Sequence, residues 1–460
     1  MNAEEYLIIL KDQIRDKYAK DYVAKEIMWH IEDQADSYQR CGLDRDEALA
    51  KSVEEMGDPV SVGTSLDRIH RPHMEWRFII YVLFISILSV GLFWIIGRTL
   101  FPEDGSWNRL ASNHIVWIVI GIIAMFIIYR LDYTILAGKS RYLAAIYLTL
   151  ITILPIPFGR SINGASRWIG FGRLSVCIPA LLMLYLPIFA GILYDYREKG
   201  KSAIIQIILW MIAPIVSRFL YGDSFLSSFN SLILISEIIL FILAVRKNWY
   251  AVKSRLVLIW GGIIALAIIV MGIILLLFNL KSYQVARLEY WLSNLGIMSR
   301  PSDTDGMNYI NSRLNMILSQ SNLLGSSDPA LKILNDLPEQ TDSLLLGSVS
   351  AICGHIGVIG IIVCLFVLSI YIFRISCRQK NSLGYIVGCA CGTIFAAQSL
   401  VNILIVYGLL PMSGSILPFF TTGGSFLIID YLLLGLILSI YRYKDIRPES
   451  KPIKTTLLGV

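Results

Sequence analysis

Charged side chains are scarce in this sequence, because Asp, Glu, Lys and Arg together make up only 16% of its 460 residues. Soluble globular domains carry about a quarter charged residues. The acidic residues are also unevenly placed, since 17 of the 34 fall within residues 1–75 and the other 385 residues share the remaining 17. Acids this sparse exclude a water-soluble fold for most of the chain and indicate that lipid is its main solvent.

Short motifs of several other protein classes are missing as well. The seven cysteines show no metal-ligand spacing, and Cys389 and Cys391 would point to different faces of one helix. No phosphate-binding loop, zinc motif or nucleophile elbow is present. The formal charge of +6 does not indicate a nucleic-acid partner, because beyond residue 75 the Lys and Arg residues lie mainly in short loops between apolar runs.

The sequence is instead rich in long apolar stretches. About 20 residues of helix cross the hydrocarbon core of a bilayer. The first stretch begins only near Phe78, so we expect an internal, uncleaved span and not a signal peptide. The pattern predicts an all-α polytopic membrane protein with about ten transmembrane helices. The predicted spans lie near residues 78–97, 114–130, 142–158, 178–195, 203–221, 229–245, 256–279, 344–373, 384–410 and 424–441.

The orientation follows from Lys and Arg, which are concentrated in alternate loops. The basic loops lie near 130–141, 197–201, 246–255 and 374–380, and the tail after residue 441 is basic too. Both termini are therefore expected in the cytoplasm. The same topology places one long loop, about 281–343, on the outer face.

Residues 1–75 form a separate, charged segment of short helices. Asp44 is a plausible N-cap with Glu47 at the capping-box position, and Gly57 suits the left-handed cap that ends the helix. Pro59 then begins another helix. We predict a cytoplasmic helical domain over 1–75, a ten-helix membrane domain over 76–445 and a cytoplasmic tail over 446–460.

The first candidate functional region is Asn163–Ile169, on the predicted outer face, which contains Arg167 and Trp168. Arg160 and Arg173 lie nearby, and all three arginines run against the positive-inside tendency. Guanidinium groups bind phosphate oxygens in pairs, so a phosphate or diphosphate ligand would explain them. The alternative is a loop anchored among lipid headgroups.

The second region is Leu337–Asp342, at the end of the long outer loop. Asp342 lies near the first turn of the next span, where the helix dipole and free backbone N–H groups stabilise a carboxylate. A helix cap is therefore one sufficient explanation. The other is a general base at the mouth of a lipid-facing cavity.

The third region is the Pro- and Gly-rich segment Leu410–Ser425, which leads into the last span. Non-helical backbone at membrane depth is tolerated only where protein or water covers it, so this segment either lines a cavity or makes a tight turn. Glu237, Asp430 and His355 lie inside apolar runs. Each is a functional candidate or a neutral group hydrogen-bonded within the bundle.

Taken in order, these regions resemble the SEDS family of bacterial membrane proteins (shape, elongation, division and sporulation). The resemblance covers about residues 78–445, and its motifs are weak singly but specific in series. The matching residues are Asn163–Ile169, Tyr283, Gln284, Arg287, Leu337–Glu339, Thr341, Asp342, Gly357–Gly360, Gln398, Asn402, Gly408–Pro411, Leu417, Pro418 and Gly423–Ser425.

The resemblance implies a peptidoglycan glycosyltransferase of the bacterial cytoplasmic membrane, acting in elongation, division or sporulation. It would polymerise lipid II, an undecaprenyl-diphosphate-linked glycan, on the outer face together with a class B penicillin-binding protein. Asp342 would be the catalytic base, and a divalent cation, Mg²⁺ or Mn²⁺, would be an additional counter-charge. The implied substrate-binding residues are Arg160, Arg167, Trp168, Arg173, Gln284, Arg287, Glu339, Thr341, Gly423, Gly424 and Ser425.

The sequence also departs from the family pattern. Gln340 stands where a His usually precedes the Thr-Asp pair, and Gly354 and His355 replace two Glu residues. Cys177–Ala180 and Met183 replace a stretch that usually carries Glu and Lys. Two alternatives therefore stay open: a catalytically degenerate scaffold that recruits a class B penicillin-binding protein, and a transporter of lipid-linked precursors. The N-terminal domain is similar to permease-prefix domains, which implies a regulatory or docking module.

Overall fold

The structure is a computed structural model, and it describes residues 1–70, 72–100, 106–162, 165–172, 174–219, 221, 228–250, 282–298, 309–337, 344–411 and 414–444. Contacts divide the chain into two compact units. The N-terminal unit is built mainly on Met1–Glu75, and the membrane unit on Trp76–Arg378 and Ser382–Ser439. Nearly all regular structure in the described residues is helical, which confirms the predicted fold class.

The N-terminal unit contains four helices. A capping box begins the first helix: the Asn2 side chain accepts a hydrogen bond from the Glu5 backbone N–H, and the Glu5 side chain accepts one from the Asn2 backbone N–H. Gly57 has a φ of +80°, as predicted for the residue that ends the third helix. The helices are α1 (Ala3–Gln13), α2 (Lys17–Arg40), α3 (Arg45–Glu55) and α4 (Pro59–His70).

The capping box predicted at the start of α3 is wrong. Asp44 occupies the N-cap position with extended backbone, but its side chain makes no capping hydrogen bond. Asp46 and Glu47 already place two carboxylates in the first turn of this helix. These carboxylates already complement the helix dipole at this end, so α3 does not depend on a capping side chain.

The membrane unit contains the remaining helices, with a short 3₁₀ turn at Tyr133–Leu136. In chain order they are α5 (Trp76–Leu100), α6 (Ser106–Arg130), α7 (Ser140–Ile153), α8 (Pro155–Phe158), α9 (Ile178–Met183), α10 (Tyr185–Asp195), α11 (Lys201–Phe219), α12 (Ser228–Arg246), α13 (Ser282–Asn294), α14 (Tyr309–Gln320), α15 (Asp328–Asn335), α16 (Leu345–Cys377), α17 (Ser382–Val406) and α18 (Gly424–Arg442).

Eight helical segments within the described residues are long and apolar enough to cross a bilayer. They coincide with eight of the predicted spans. The predicted span 203–221 coincides with α11, whose apolar part, Ser202–Arg218, is shorter. The predicted span 256–279 lies outside the described residues. A multi-pass helical membrane protein is confirmed, and the total of ten spans stays a prediction.

Helix α17 lies at the centre of the bundle and packs against α16, α10 and α12. Two glycines one turn apart allow the close approach to α16. A Cβ at Gly392 would lie 3.0 Å from the ring of Phe373, and one at Gly388 would lie 2.9 Å from the Cβ of Ser376. Small residues at such contacts are how membrane helices gain packing area. The C-terminal half of α17 carries the buried polar side chains Gln398, Ser399 and Asn402.

Helix α16 is interrupted at Gly354, where φ is 80° and ψ is 177°, a conformation open essentially to glycine alone. The apolar segment that can cross a bilayer is His355–Cys377, so the predicted span 344–373 began too early. The break is filled by segment 322–327, which belongs to the long loop predicted over 281–343. Its carbonyls at Asn322 and Leu323 each accept a 3.1 Å hydrogen bond from the backbone N–H groups of His355 and Ile356.

A small three-stranded antiparallel sheet lies between α8 and α9, in the order β1 (Gly159–Ile162), β2 (Ala165–Phe171) and β3 (Leu174–Cys177). The sequence predicted only a loop here. The strands form because Ile, Val, Phe and Trp favour extended backbone. The sheet turns the first candidate region into a defined hairpin.

Replacing Gly354 by Ala is expected to destabilise the protein by about 1–3 kcal/mol, because the new Cβ meets both a left-handed backbone and the Leu323 carbonyl. That Cβ would lie 2.7 Å from the carbonyl oxygen. Thermal unfolding of the detergent-purified protein measures the loss. Gly360→Ala is the matched control, since nothing lies within 4 Å of its added Cβ. Equal melting temperatures for the two variants would contradict the prediction.

Candidate functional site

The hairpin of β1 and β2 carries arginines that the sequence analysis singled out. Arg160 lies directly opposite Trp168, so both side chains stand on the same face of the sheet. The exposed Arg160 guanidinium donates a 2.7 Å hydrogen bond to the Gly172 carbonyl. Gly170 lies beneath it, because a Cβ at that position would overlap the guanidinium. Arg160 is thus held across the hairpin beside Trp168.

Arg167 is the extra residue of a β-bulge. Trp168 pairs with Arg160, while Ser166 pairs with Ser161, so the register passes over Arg167. A bulge interrupts the alternation of side chains along a strand and re-aims the residue it contains. Arg167 and Trp168 are therefore not forced to opposite faces, as consecutive strand residues otherwise are.

The hairpin is joined to the start of α18. The Cys177 backbone N–H, at the end of β3, donates a 3.1 Å hydrogen bond to the Ser425 hydroxyl. Gly424 leaves room for the indole of Trp117 on α6, which a Cβ would overlap. The Gly423 N–H donates to the Thr421 hydroxyl at 2.9 Å. The third candidate region therefore contacts β3, in which Cys177 pairs with Trp168 of the first candidate region.

The segment that precedes α18 is fixed by the backbone of Phe419. This residue has a φ of +64°, which is strained for any side chain other than glycine. Its N–H donates a 3.0 Å hydrogen bond to Asp430, and its carbonyl accepts a 2.8 Å hydrogen bond from Ser89. Its ring stacks on Phe395 with centroids 5.8 Å apart and meets Tyr431 edge-on at 5.4 Å.

Asp430 is therefore a positioning residue in this structure. It is fully buried, and it satisfies a backbone donor of the segment that ends at Ser425. The sequence left its role open and gave no sign of Ser89 and His114, which hold the same peptide from the carbonyl side of Phe419. The Ser89 hydroxyl donates to Phe419, so His114, 2.7 Å away through Nε2, donates to Ser89. Single Ser and His residues in apolar runs gave no signal for this network.

Other polar candidates lie elsewhere. Glu237 is fully buried on α12, and its carboxyl oxygens have no hydrogen-bond partner within the described part of the chain. The His355 side chain faces the Ser350 hydroxyl at 3.3 Å, and its backbone completes the break in α16. Neither residue is hydrogen-bonded to the hairpin in the contacts that the structure describes.

Part of the predicted site falls outside the described residues. Gln284 and Arg287 lie on α13. The described residues on either side of the predicted base are Leu337 and Leu344, only 2% and 1% exposed, so the chain enters and leaves that stretch from packed positions. The role of the base stays a prediction. The predicted residues outside the described ranges are Arg173, Glu339, Thr341 and Asp342.

The chain matches the FtsW/RodA/SpoVE family, described as cell cycle protein, over residues 76–446. It is 22% identical over 377 residues to a Trichlorobacter lovleyi protein named probable peptidoglycan glycosyltransferase FtsW, covering 80% of this chain and 93% of that one. It is 23% identical over 375 residues to stage V sporulation protein E of Bacillus subtilis, covering 79% of this chain and 96% of the relative.

The fold is also similar to solved structures. A chain from a study of how a peptidoglycan synthase complex coordinates polymerization and crosslinking gives a TM-score of 0.62 at 21% identity, covering 80% of this chain and 98% of that one. The rod shape determining protein RodA of Thermus thermophilus gives 0.53 at 18% identity, covering 81% and 97%. At these identities the similarity establishes the fold alone.

Replacing Asp430 by Leu is expected to cost about 1–3 kcal/mol, because the buried Phe419 N–H loses its acceptor. Segment 414–423 should then exchange its amide hydrogens faster, as measured by hydrogen exchange with mass spectrometry. Asp430→Asn is the control, since it keeps an acceptor oxygen at nearly the same place. Exchange in the Leu variant as slow as in the unchanged protein would show that this hydrogen bond does not hold the segment.

Proposed function

Because this chain belongs to the FtsW/RodA/SpoVE family of cell cycle proteins, we propose that it polymerises lipid II into glycan strands at the outer face of the cytoplasmic membrane. The observation that carries the proposal is the hydrogen bond between Cys177 and Ser425. It brings a hairpin bearing Arg160, Arg167 and Trp168 to the first turn of a membrane helix. Cations, an aromatic ring and backbone donors are what a sugar diphosphate on a lipid requires.

The reaction is a displacement at the anomeric carbon of the donor sugar. Asp342 accepts the proton of an acceptor-sugar hydroxyl, and the oxygen forms the new glycosidic bond as the bond to undecaprenyl diphosphate breaks, with inversion. Arg167 and the neighbouring arginines stabilise the charge that develops on the departing diphosphate. Trp168, beside Arg160, offers an apolar surface to the sugar or the first isoprene units.

A metal ion has no step in this scheme. No group of three or more His, Cys, Asp or Glu side chains in the described ranges is placed to bind one. A divalent cation, Mg²⁺ or Mn²⁺, would supply extra positive charge at the diphosphate when bound. The arginines of the hairpin supply positive charge at the diphosphate from the protein itself.

We also propose an orientation in the membrane and a protein partner. The Lys- and Arg-rich ends of α6, α12 and α18 lie in the cytoplasm, which puts the hairpin outside and the N-terminal unit inside. Residues 1–75 then form a cytoplasmic regulatory or docking module. A class B penicillin-binding protein crosslinks the strands that this chain produces.

A non-catalytic scaffold is the second candidate. Residues that the resemblance expects to be charged are instead packed in the bundle, because Ile178, Ala180 and Met183 are all 0% exposed. A protein with this fold that has lost those charges can still recruit a penicillin-binding protein.

Replacing Asp342 by Asn is expected to lower the rate of glycan polymerisation about 100-fold or more, because a general base contributes 10²–10⁴-fold. The assay uses purified full-length protein with its penicillin-binding partner and lipid II. Asp336→Asn is the matched control, since Asp336 is an exposed acid of the same outer loop.

Three other outcomes would each support a different explanation. Full activity of Asp342→Asn discards Asp342 as the base. An inactive unchanged protein that still binds its partner supports the scaffold. Lipid-linked precursor that reaches the outer face of vesicles without forming polymer supports a transporter.

A further inference from the structure

Basic and aromatic side chains are gathered at the ends of α7 and α10 that are opposite to the hairpin. Helix α7 begins at Ser140 and leads through α8 into β1, whereas β3 leads through α9 into α10, which ends at Asp195. The loops before Ser140 and after Asp195 therefore lie across the membrane unit from the hairpin. A third segment joins them, the turn at residues 247–250 that follows α12.

These three segments are fixed to one another by hydrogen bonds to the backbone and between side chains. The Asp195 carboxylate accepts a 2.7 Å hydrogen bond from the Gly138 N–H and another from the Ser140 hydroxyl. The Glu198 N–H donates a 2.7 Å hydrogen bond to the Trp249 carbonyl. Glu198 has a φ of 63°, which a residue other than glycine keeps only where its surroundings over-determine it. The loops thus form a defined support for the side chains that they carry.

Arg141 and Lys199 meet on this support at the ring of Tyr196. The Arg141 guanidinium carbon lies 5.5 Å from the ring centroid, and the Lys199 ammonium nitrogen lies 5.1 Å from it. Both distances are those of cation–π contacts, and the ring itself is buried. Partial burial and the charge of Arg141 lower the pKa of Lys199, while Asp195 raises it. Two like charges are therefore held close together.

The described carboxylates do not neutralise this pair of cations. Neither Arg141 nor Lys199 forms an ion pair with an Asp or Glu in the part of the chain that the structure describes. The Arg141 Nε is buried and has no hydrogen-bond partner there. Asp195 spends both carboxyl oxygens on the two hydrogen bonds given above, and Glu198 is exposed. The pair is therefore suited to an anion from outside the chain.

The position of the pair indicates that this anion belongs to a lipid. The apolar spans Ser140–Phe158 and Ile178–Asp195 both end at these loops. Beside the pair, the rings of Tyr194 and Trp249 meet edge-on with centroids 6.1 Å apart. Tyr and Trp are enriched at the depth of the lipid headgroups, where the phosphates of a bilayer lie. A phosphate ligand dissolved in water would need neither the aromatic rings nor this depth.

We propose that Arg141 and Lys199 bind the phosphate group of an anionic phospholipid. The guanidinium donates hydrogen bonds to the phosphate oxygens, the ammonium supplies the second positive charge, and the Tyr196 ring keeps both cations in place. The acyl chains lie against the exposed apolar side chains of α7, such as Ile146 and Leu150. Only the identity of the leaflet, the cytoplasmic one, rests on the orientation proposed above.

Isothermal titration calorimetry of the full-length protein in detergent tests this site. The probes are short-chain phosphatidylglycerol and phosphatidylcholine with the same acyl chains. The unchanged protein should bind phosphatidylglycerol about 10-fold more tightly, because no choline cation opposes its charge-assisted hydrogen bonds. Lys199→Gln should remove most of this preference, and Lys199 is exposed, so the change leaves the fold intact. Arg378→Gln is the matched control, since Arg378 is an exposed cation of another basic loop.

Three results would overturn the proposal. Equal loss in Lys199→Gln and Arg378→Gln would show that total charge attracts the lipid, and not this pair. An unchanged preference in the double variant of Arg141→Gln and Lys199→Gln would show that the pair does not bind lipid. Displacement of phosphatidylglycerol by excess inorganic phosphate would assign the pair to a free phosphate. Because none of these titrations contains lipid II, the proposed polymerase activity can fail without changing their outcome.

Discussion

The fold places its candidate site by fixing one peptide in the interior of the bundle. Phe419 is held at a φ of +64° because Asp430 accepts from its N–H and Ser89 donates to its carbonyl. A left-handed, non-glycine residue persists only where its surroundings over-determine it. Here two helices and two aromatic rings do so. The turn this creates sets where the chain re-enters α18, and so where Ser425 meets the hairpin.

This arrangement explains how polar chemistry is supported inside an apolar protein. The buried N–H and carbonyl of Phe419 are paired with Asp430 and Ser89, so most of their desolvation cost is offset. Other buried polar atoms nearby have no hydrogen-bond partner among the described residues, namely the second carboxyl oxygen of Asp430, the Asn402 amide oxygen and the Gln398 amide. The paired groups are the ones that fix the backbone of this segment.

The sequence predicted the spans well because an apolar run of about 20 residues has few structural alternatives. It could not predict the conformation of Phe419, which depends on a hydrogen bond to Ser89, 330 residues away. It could not predict the bulge at Arg167 either, because the residue pattern does not fix how this strand registers with Arg160 and Ser161. The break at Gly354 was hidden for the same reason, because a glycine in an apolar run is common in membrane helices. The contact between Cys177 and Ser425 was not predictable either, because these residues are 248 positions apart in the sequence.

The break in α16 also has a mechanical consequence. Backbone hydrogen bonds join Asn322 and Leu323 to His355 and Ile356, residues more than 30 positions further along the chain. Displacing segment 322–323 would break the hydrogen bonds to the first turn of the membrane-crossing helix, so the position of this segment and the start of that helix are mechanically coupled.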